Sequence, residues 1–402
     1  MGYRVLVVAE GSGGHLIPAL EVSRTLSASG ACVRLVYAQR AQSAGLFQGI
    51  LEDAKEEGVQ LAPVRLSSTR IRMARLTRRV WQAGRVWRLA HAQLATCAPQ
   101  VVVGFGGWIS VPVVFAARQR HIPVMLHEQN VRLGRANRFL LRWADEIAVS
   151  FAHTHRELNG TCLRRGRGRQ ARAVVTGLPI RRAIGTVSRE QAARWFGLDP
   201  TATTVLILGG SQGSRPVNRF VCDMLRELTE EERTSWQFIH LTGVSDWTAV
   251  QEAYRAARLR CWVAPYLTQM DAAYALADVV VARAGASTIA ELAQCGKPAL
   301  FIPYPYARGH QRDNARLVES IGAGVWVEES AASPQRILTL LRTVLLDPSL
   351  QLRMGAQMRS LARPDASQRL ASAIIKLATN HAHSTSLRAM VSEQSEPNHA
   401  QR

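Results

Sequence analysis

The feature that most constrains this chain is a repeated order of segments: a short aliphatic, β-branched run, a glycine-rich turn, then residues with helical spacing. Val5–Ala9 runs into Gly11-Ser12-Gly13-Gly14 and the helical stretch Pro18–Ser29, and Thr204–Leu208 runs into Gly209-Gly210-Ser211-Gln212-Gly213. Apolar runs this short read as strands buried on both faces, and their alternation with helices implies a parallel sheet covered by helices. The first series predicts strands at Val5–Ala9, Val33–Tyr37, Val101–Val103, Val124–His127 and Ile147–Ser150. The second predicts Thr204–Leu208, Phe238–Leu241, Arg260–Val263, Val279–Ala282, Ala299–Ile302 and Val325–Val327. The chain has 402 residues, and a single core usually stops growing near ~250–300 residues. The expectation is therefore an α/β protein of two tandem Rossmann-like domains, residues 1–181 and 182–350, with a helical segment over 351–379. The Ser-, His- and Asn-rich residues 380–402 read as a disordered tail.

Composition removes several function classes. With 47% apolar and 20% charged residues the chain is globular. No run of 18 apolar residues occurs, so no bilayer-spanning helix is expected. Val5–Ala9 ends at Glu10, too short for the core of a secretory signal. The six cysteines, at 32, 97, 162, 222, 261 and 295, form no CxxC pair, which argues against a zinc ribbon or a thioredoxin-type site. His153 and His155 have no third ligand at convincing spacing, so no metal site is expected. Reduced thiols in the cytosol are the expectation. The formal charge is +20, and only three of the 50 basic residues are Lys. The excess sits in two acid-free windows: Gly58–His127, with ten arginines, and Asn159–Arg189, which reads as a loop.

The chemistry-bearing residues cluster after strands. A glycine-rich turn at a helix N-terminus exposes N–H groups and the positive end of the helix dipole, which suits a diphosphate. Gly104-Phe105-Gly106-Gly107 adds a third such turn. His15 directly follows Gly13-Gly14, where the dipole favours the neutral imidazole a general base needs. His127-Glu128-Gln129-Asn130 places four polar residues at a strand end, costly to bury unless they line a site. Arg283 to Glu291 (RAGASTIAE) joins a strand to a helix through small residues. Glu291 there suits a ribose diol, although Thr288 and Glu291 also have capping-box spacing. His310-Gln311-Arg312-Asp313-Asn314 forms another polar turn. No Asp-x-Asp occurs, so a leaving diphosphate would be neutralised by Arg and backbone N–H groups, with no metal or cofactor.

These segments, in this order, resemble the MurG family of UDP-N-acetylglucosamine transferases that make lipid II. The matching stretches are EGSGGHLIPAL from Glu10, GFGGWISVP from Gly104, HEQN with GRAN from Gly134, VTGLPIR from Val175, LGGSQG from Leu208 with Asn218, Arg283 to Glu291, and HQRDNA from His310. The resemblance implies the GT-B fold, two Rossmann-like domains with parallel sheets facing across a cleft. It implies inverting transfer of N-acetylglucosamine from UDP-N-acetylglucosamine to O4 of the muramoyl sugar of lipid I, for peptidoglycan synthesis at the cytoplasmic face of the cell membrane. The donor residues it implies are Ser12, Gly13, Gly14, Asn130, Arg181, Ser211, Leu267, Ala286, Ser287, Thr288, Ile289, Ala290, Glu291 and Gln311. Glu291 falls on the ribose, Ser211 on a phosphate and Leu267 near the uracil. His15 becomes the catalytic base, with Glu128 the next candidate. The chain departs from the family at Glu10, Leu178, Trp108 and the acid-free Leu267-Thr268-Gln269.

An acceptor with a polyprenyl tail requires a membrane surface. Ile71–Leu94 reads as a helix with Leu76, Val80, Ala83, Trp87 and Leu94 on the packed face. Ile71, Arg75, Arg78, Trp81, Arg85 and Val86 are then expected against an anionic membrane, where arginine interleaved with large apolar groups suits lipid better than nucleic acid. The alternatives are another GT-B UDP-sugar transferase or epimerase, and a catalytically silent basic adaptor that binds membranes.

Overall fold

The computed structural model describes residues 2–39, 45, 47–65, 75–160, 171–210, 212–306 and 309–394. The chain divides into two compact units: Met1–Glu128, Leu133–Pro179 and Asp365–Arg402 form the first, Gln129–Arg132 and Ile180–Pro364 the second.

The first unit holds strands β1 (Arg4–Ala9), β2 (Cys32–Gln39), β3 (Gln60–Arg65), β4 (Val101–Gly104), β5 (Val124–Glu128), β6 (Glu146–Val149) and β7 (Arg172–Val175). They make one parallel sheet in the order β3-β2-β1-β4-β5-β6-β7. The second holds β8 (Thr203–Leu208), β9 (Trp236–Leu241), β10 (Arg260–Ala264), β11 (Val279–Ala282), β12 (Ala299–Phe301) and β13 (Gly324–Trp326), again parallel, in the order β10-β9-β8-β11-β12-β13. In both sheets the chain order reverses beside the first strand, between β1 and β4 and between β8 and β11. Parallel α/β sheets bind ligands outside the strand C-termini at such a reversal. The turns after β1 and β4, and after β8 and β11, are the glycine- and arginine-bearing segments singled out above.

Side-chain alternation on the strands explains why both faces are covered. On β1, Val5, Val7 and Ala9 enter one apolar cluster and Leu6 and Val8 another, so the run must be apolar throughout. The edge strands β3 and β7 were not anticipated. Each is half-exposed and mixed in polarity, and β3 contains Pro63, which an edge tolerates. β7 also lies within the acid-free window expected to be a loop. The first long helix begins at Gly13, before Pro18, and runs to Ala28.

The C-terminal expectation is corrected. A helix spans Ala366–Gln394, so residues 380–394 are helical and not a disordered tail. Its Leu370, Ala371, Ile374, Leu377 and Ala378, at helical spacing, complete the core of the first unit and not a separate segment. The Tyr3 hydroxyl and Thr379 Oγ1, 2.7 Å apart, join its middle to the start of the chain. Emptying such a position, as in Ile374→Ala, typically costs about 2–5 kcal/mol.

Candidate functional site

In the first unit, the turn after β1 delivers Ser12 to the start of the helix Gly13–Ala28, and the Ser12 carbonyl accepts the His15 and Leu16 N–H groups. The Ser12 hydroxyl does not cap the helix. It lies 2.8 Å from His15 Nδ1 and fixes the ring. In the tautomer with hydrogen on Nδ1, Nε2 is the basic nitrogen. Glu10 is 6% exposed, with its carboxyl against Gly107, whose φ of +76° and lack of space leave no room for a Cβ. That position takes the added carboxylate away from solvent.

The HEQN and GRAN stretches prove to be one knot. The His127 ring stacks on Phe105 at 4.9 Å, and its Nε2 donates to the Gly177 carbonyl at 3.2 Å. Burial, aided by the nearby His15, lowers the His127 pKa to about 4, against the pull of the Gly177 bond. The ring is therefore neutral. Glu128 is 1% exposed, and its Oε2 accepts from the Gly134 N–H and from Asn137 Nδ2, both at 2.8 Å. Asn137 Nδ2 also donates to the His127 carbonyl at 2.9 Å. This carboxylate fastens the turn onto the end of β5, a holding role distinct from the proton-accepting role offered as the alternative to His15.

The second unit carries paired charges at its strand ends. Arg283, at the end of β11 and 7% exposed, donates to the Ile302 and Pro303 carbonyls at 2.9 and 3.2 Å and to Ser214 Oγ at 2.7 Å, and it pairs with Glu329. Ser214 precedes the helix Arg215–Met224, so this arginine fixes the end of the turn after β8. The same turn leans on the end of β9. Gly213 has φ +76°, and a Cβ there would lie 2.1 Å from the Thr242 carbonyl oxygen. Asn218 Nδ2 donates to that carbonyl at 2.9 Å, and His240 Nε2 lies 3.1 Å from Asn218 Oδ1. Burial lowers the His240 pKa to about 3.

The helix Ala286–Cys295 starts after Gly285, with no side-chain cap. The capping-box reading of Thr288 with Glu291 is thereby removed. Glu291 lies in the second turn, 6% exposed, and its Oε2 accepts from the Tyr274 hydroxyl at 2.8 Å. Burial pushes the Glu291 carboxyl above its usual range, while the Arg181 guanidinium and then the Tyr274 hydroxyl pull it back. Arg181 Nη1 donates to the Thr268 carbonyl at 3.0 Å, beside the buried Leu267. Arg181, Leu267 and Glu291, far apart in sequence, thus share one neighbourhood. The Ser287 Oγ is buried and makes no hydrogen bond among the described residues. Asn314 accepts the Val131 N–H at 2.9 Å and donates to Asn130 Oδ1 and the Ala284 carbonyl at 3.1 and 3.0 Å. Gln311 Oε1 accepts the Tyr304 N–H at 2.9 Å.

Of the expected donor residues, Ser12, Gly13 and Gly14 belong to the first unit; Asn130, Arg181, Leu267, Ala286 to Glu291 and Gln311 belong to the second. Ser211 lies outside the described residues. Sequence reasoning missed Tyr274, Ser214 and Glu329. Tyr274 sits in the apolar helix Met270–Leu276 and looks like core. Its hydroxyl, which needs a partner once buried, was the available signal. Among the described residues no group of three His, Cys, Asp or Glu could hold a metal ion, and no helix is long and apolar enough to cross a membrane.

One membrane expectation is corrected. Val86 is 2% exposed and packs in the first core with Ala90 and Leu94, an i, i+4 stripe on the helix Arg75–Cys97. Trp87 packs partly against that core, and Arg85 and Arg88 are exposed. Ile71 and the side chains of Arg75, Arg78 and Trp81 lie outside the described residues.

Known families match both halves of the chain. The glycosyltransferase family 28 N-terminal domain matches residues 5–149, and the glycosyltransferase family 28 C-terminal domain matches residues 204–370. The UDP-N-acetylglucosamine–N-acetylmuramyl-(pentapeptide) pyrophosphoryl-undecaprenol N-acetylglucosamine transferase of Chlorobium limicola is 35% identical over 384 residues, 93% of this chain and 99% of that protein. The Desulforamulus reducens protein of the same name is 31% identical over 372 residues, 90% of this chain and 95% of its own length. Among solved structures, MurG of Acinetobacter baumannii superposes with a TM-score of 0.69 at 27% identity, covering 93% of this chain and 99% of that one. Two Rossmann-like domains with parallel sheets, both halves of the family matched in order, and relatives similar along most of their length lead to one assignment: this chain belongs to the MurG family of GT-B glycosyltransferases, within glycosyltransferase family 28.

Proposed function

We propose that this glycosyltransferase moves N-acetylglucosamine from UDP-N-acetylglucosamine to O4 of the muramoyl sugar of lipid I, forming lipid II at an anionic membrane surface. The observation that carries the reading is the buried Glu291 carboxylate, held by Tyr274 and faced by Arg181, at the strand ends of a Rossmann-like domain. A carboxylate there accepts hydrogen bonds from a ribose diol. Leu267 flanks the uracil, and Gln311 and Asn130 take the sugar. The diphosphate meets N–H groups of the Gly209–Gly213 turn, with Ser211, and of the first turn Ala286–Ala290. These donors stabilise the charge that develops as UDP leaves.

In the transfer step His15 Nε2 takes the proton from the acceptor O4 hydroxyl. The oxygen lone pair forms the new bond to C1 of N-acetylglucosamine as the C1–O bond to the β-phosphate breaks. The electron pair leaves on UDP, and the anomeric centre inverts. With donors of this kind around the diphosphate, the reaction proceeds without a bound metal.

The test is a calorimetric titration with UDP-N-acetylglucosamine. Binding to the wild type is expected, together with a clear loss of affinity in Glu291→Ala. No detectable binding to the wild type, or equal affinity in the variant, would remove the donor assignment.

A further inference from the structure

Tyr274 makes a contact unusual for a core tyrosine. It is 1% exposed on the helix Met270–Leu276, and its hydroxyl donates to Glu291 Oε2 at 2.8 Å. Among the described residues this is the one hydrogen bond to the Glu291 carboxylate. Burial and the neighbouring carboxylate push the phenol far above its ordinary value, so it stays protonated and donates at any working pH. A carboxylate bound through one oxygen cannot rotate about its terminal torsion without breaking that bond, and a terminal torsion is otherwise soft. The second oxygen is thereby fixed in direction.

We propose that Tyr274 is the positioning residue of the nucleoside subsite: by occupying Oε2 of Glu291 it aims the other oxygen, and so sets the preference of the site for a ribose diol over a 2′-deoxyribose. This rests on the assignment of Glu291 to the ribose. Tyr274 touches no substrate. It acts through Glu291, so its effect must vanish when Glu291 cannot respond.

The experiment is a thermodynamic cycle on the full chain: wild type, Tyr274→Phe, Glu291→Ala and the double variant, each titrated with UDP and with 2′-deoxy-UDP. Tyr274→Phe keeps the ring in its buried space. It is expected to weaken UDP binding by about three- to tenfold, less than the roughly tenfold or more of losing a hydrogen bond to a charged group outright, because the carboxylate is freed to rotate and not removed. Binding of 2′-deoxy-UDP should be nearly unchanged, so the ribose preference narrows. The double variant should match Glu291→Ala. At saturating donor, kcat in Tyr274→Phe should stay within twofold while KM for the donor rises.

Three results would overturn the proposal. One is an unchanged ribose preference in Tyr274→Phe while Glu291→Ala loses it, which leaves the ribose assignment standing. Another is equal weakening of both nucleotides, with a further loss in the double variant, which marks Tyr274 as packing only. The third is an unchanged preference in Glu291→Ala, which removes the ribose assignment itself.

Discussion

The two domains repeat one strand order and organise the C-terminal ends of their strands by different means. In the first, the groups behind the loops are a neutral His127, a Glu128 carboxylate held by N–H donors, and a Ser12–His15 contact. In the second, the corresponding ends are tied by Arg283 to Glu329, by Arg181 facing Glu291, and by Tyr274. The first set surrounds a histidine fixed at a helix start, the arrangement proposed here for proton transfer. Fixed charges aim donors and acceptors at a polar ligand that must be held and released without changing charge at the protein. On the proposed reading one topology serves two chemical tasks, and variants should separate them.

The largest separation should come from His15. His15→Ala is expected to lower kcat by ~10²–10⁴, the range for loss of a general base, with UDP affinity unchanged. Steady-state kinetics with a short-chain acceptor reads this. A kcat within threefold of wild type would place the base elsewhere.

The next effect acts on both domains alike and tests whether their buried histidines are equivalent. His127 and His240 are neutral in the fold, at about 4 and about 3, and titrate near ~6.5 when unfolded. Below that unfolded value the unfolded chain binds a proton that the folded chain does not, so stability is complete above pH ~6.5 and is lost as pH falls toward the folded values. Between pH 7 and pH 5 each histidine should remove about 2 kcal/mol. Urea unfolding at both values, repeated with His127→Gln and His240→Gln, should show a flatter acid side for each variant.

Glu291→Ala should raise the donor KM by about tenfold, through loss of a charge-assisted bond, and leave kcat at saturating donor near normal. Because burial raises the Glu291 pKa, donor affinity should decline as pH falls through a range above that of an ordinary carboxylate. UDP titrations across the acid range check this. A decline that persists in Glu291→Ala would assign it to another group.

How far these sites could be read from the residues follows from the same contrast. Glycine-rich turns, His15 and the HEQN stretch are local in sequence, and the central strands carry continuous apolar runs, so both were legible. Glu291 was legible as a carboxylate near a helix start. Its partners were not, because Tyr274 is 17 residues away and Arg181 in another segment, and only the fold brings them together. The edge strands β3 and β7 have one open side and lack the apolar run that marks their neighbours. Val86 was placed on the wrong face because the packed stripe follows Val86, Ala90 and Leu94, a rotation that a helix with apolar residues on several sides does not reveal.

The smallest effect concerns the first domain alone. Arg85 and Arg88 are exposed on the helix Arg75–Cys97. Each basic residue near an anionic bilayer contributes ~1 kcal/mol, so Arg85→Gln should weaken co-sedimentation with phosphatidylglycerol vesicles by about fivefold and spare transfer to a short-chain acceptor. Unchanged sedimentation would place the membrane surface elsewhere.

The most direct measurement is transfer itself: the protein, UDP-N-acetylglucosamine labelled in the sugar, and a short-chain lipid I analogue, with the product examined by mass spectrometry and NMR. The account predicts that one N-acetylglucosamine appears on O4 of the muramoyl sugar in β linkage, with one UDP released per transfer and no loss of rate in excess EDTA. A label recovered as free or epimerised sugar, with the acceptor unmodified, would contradict it.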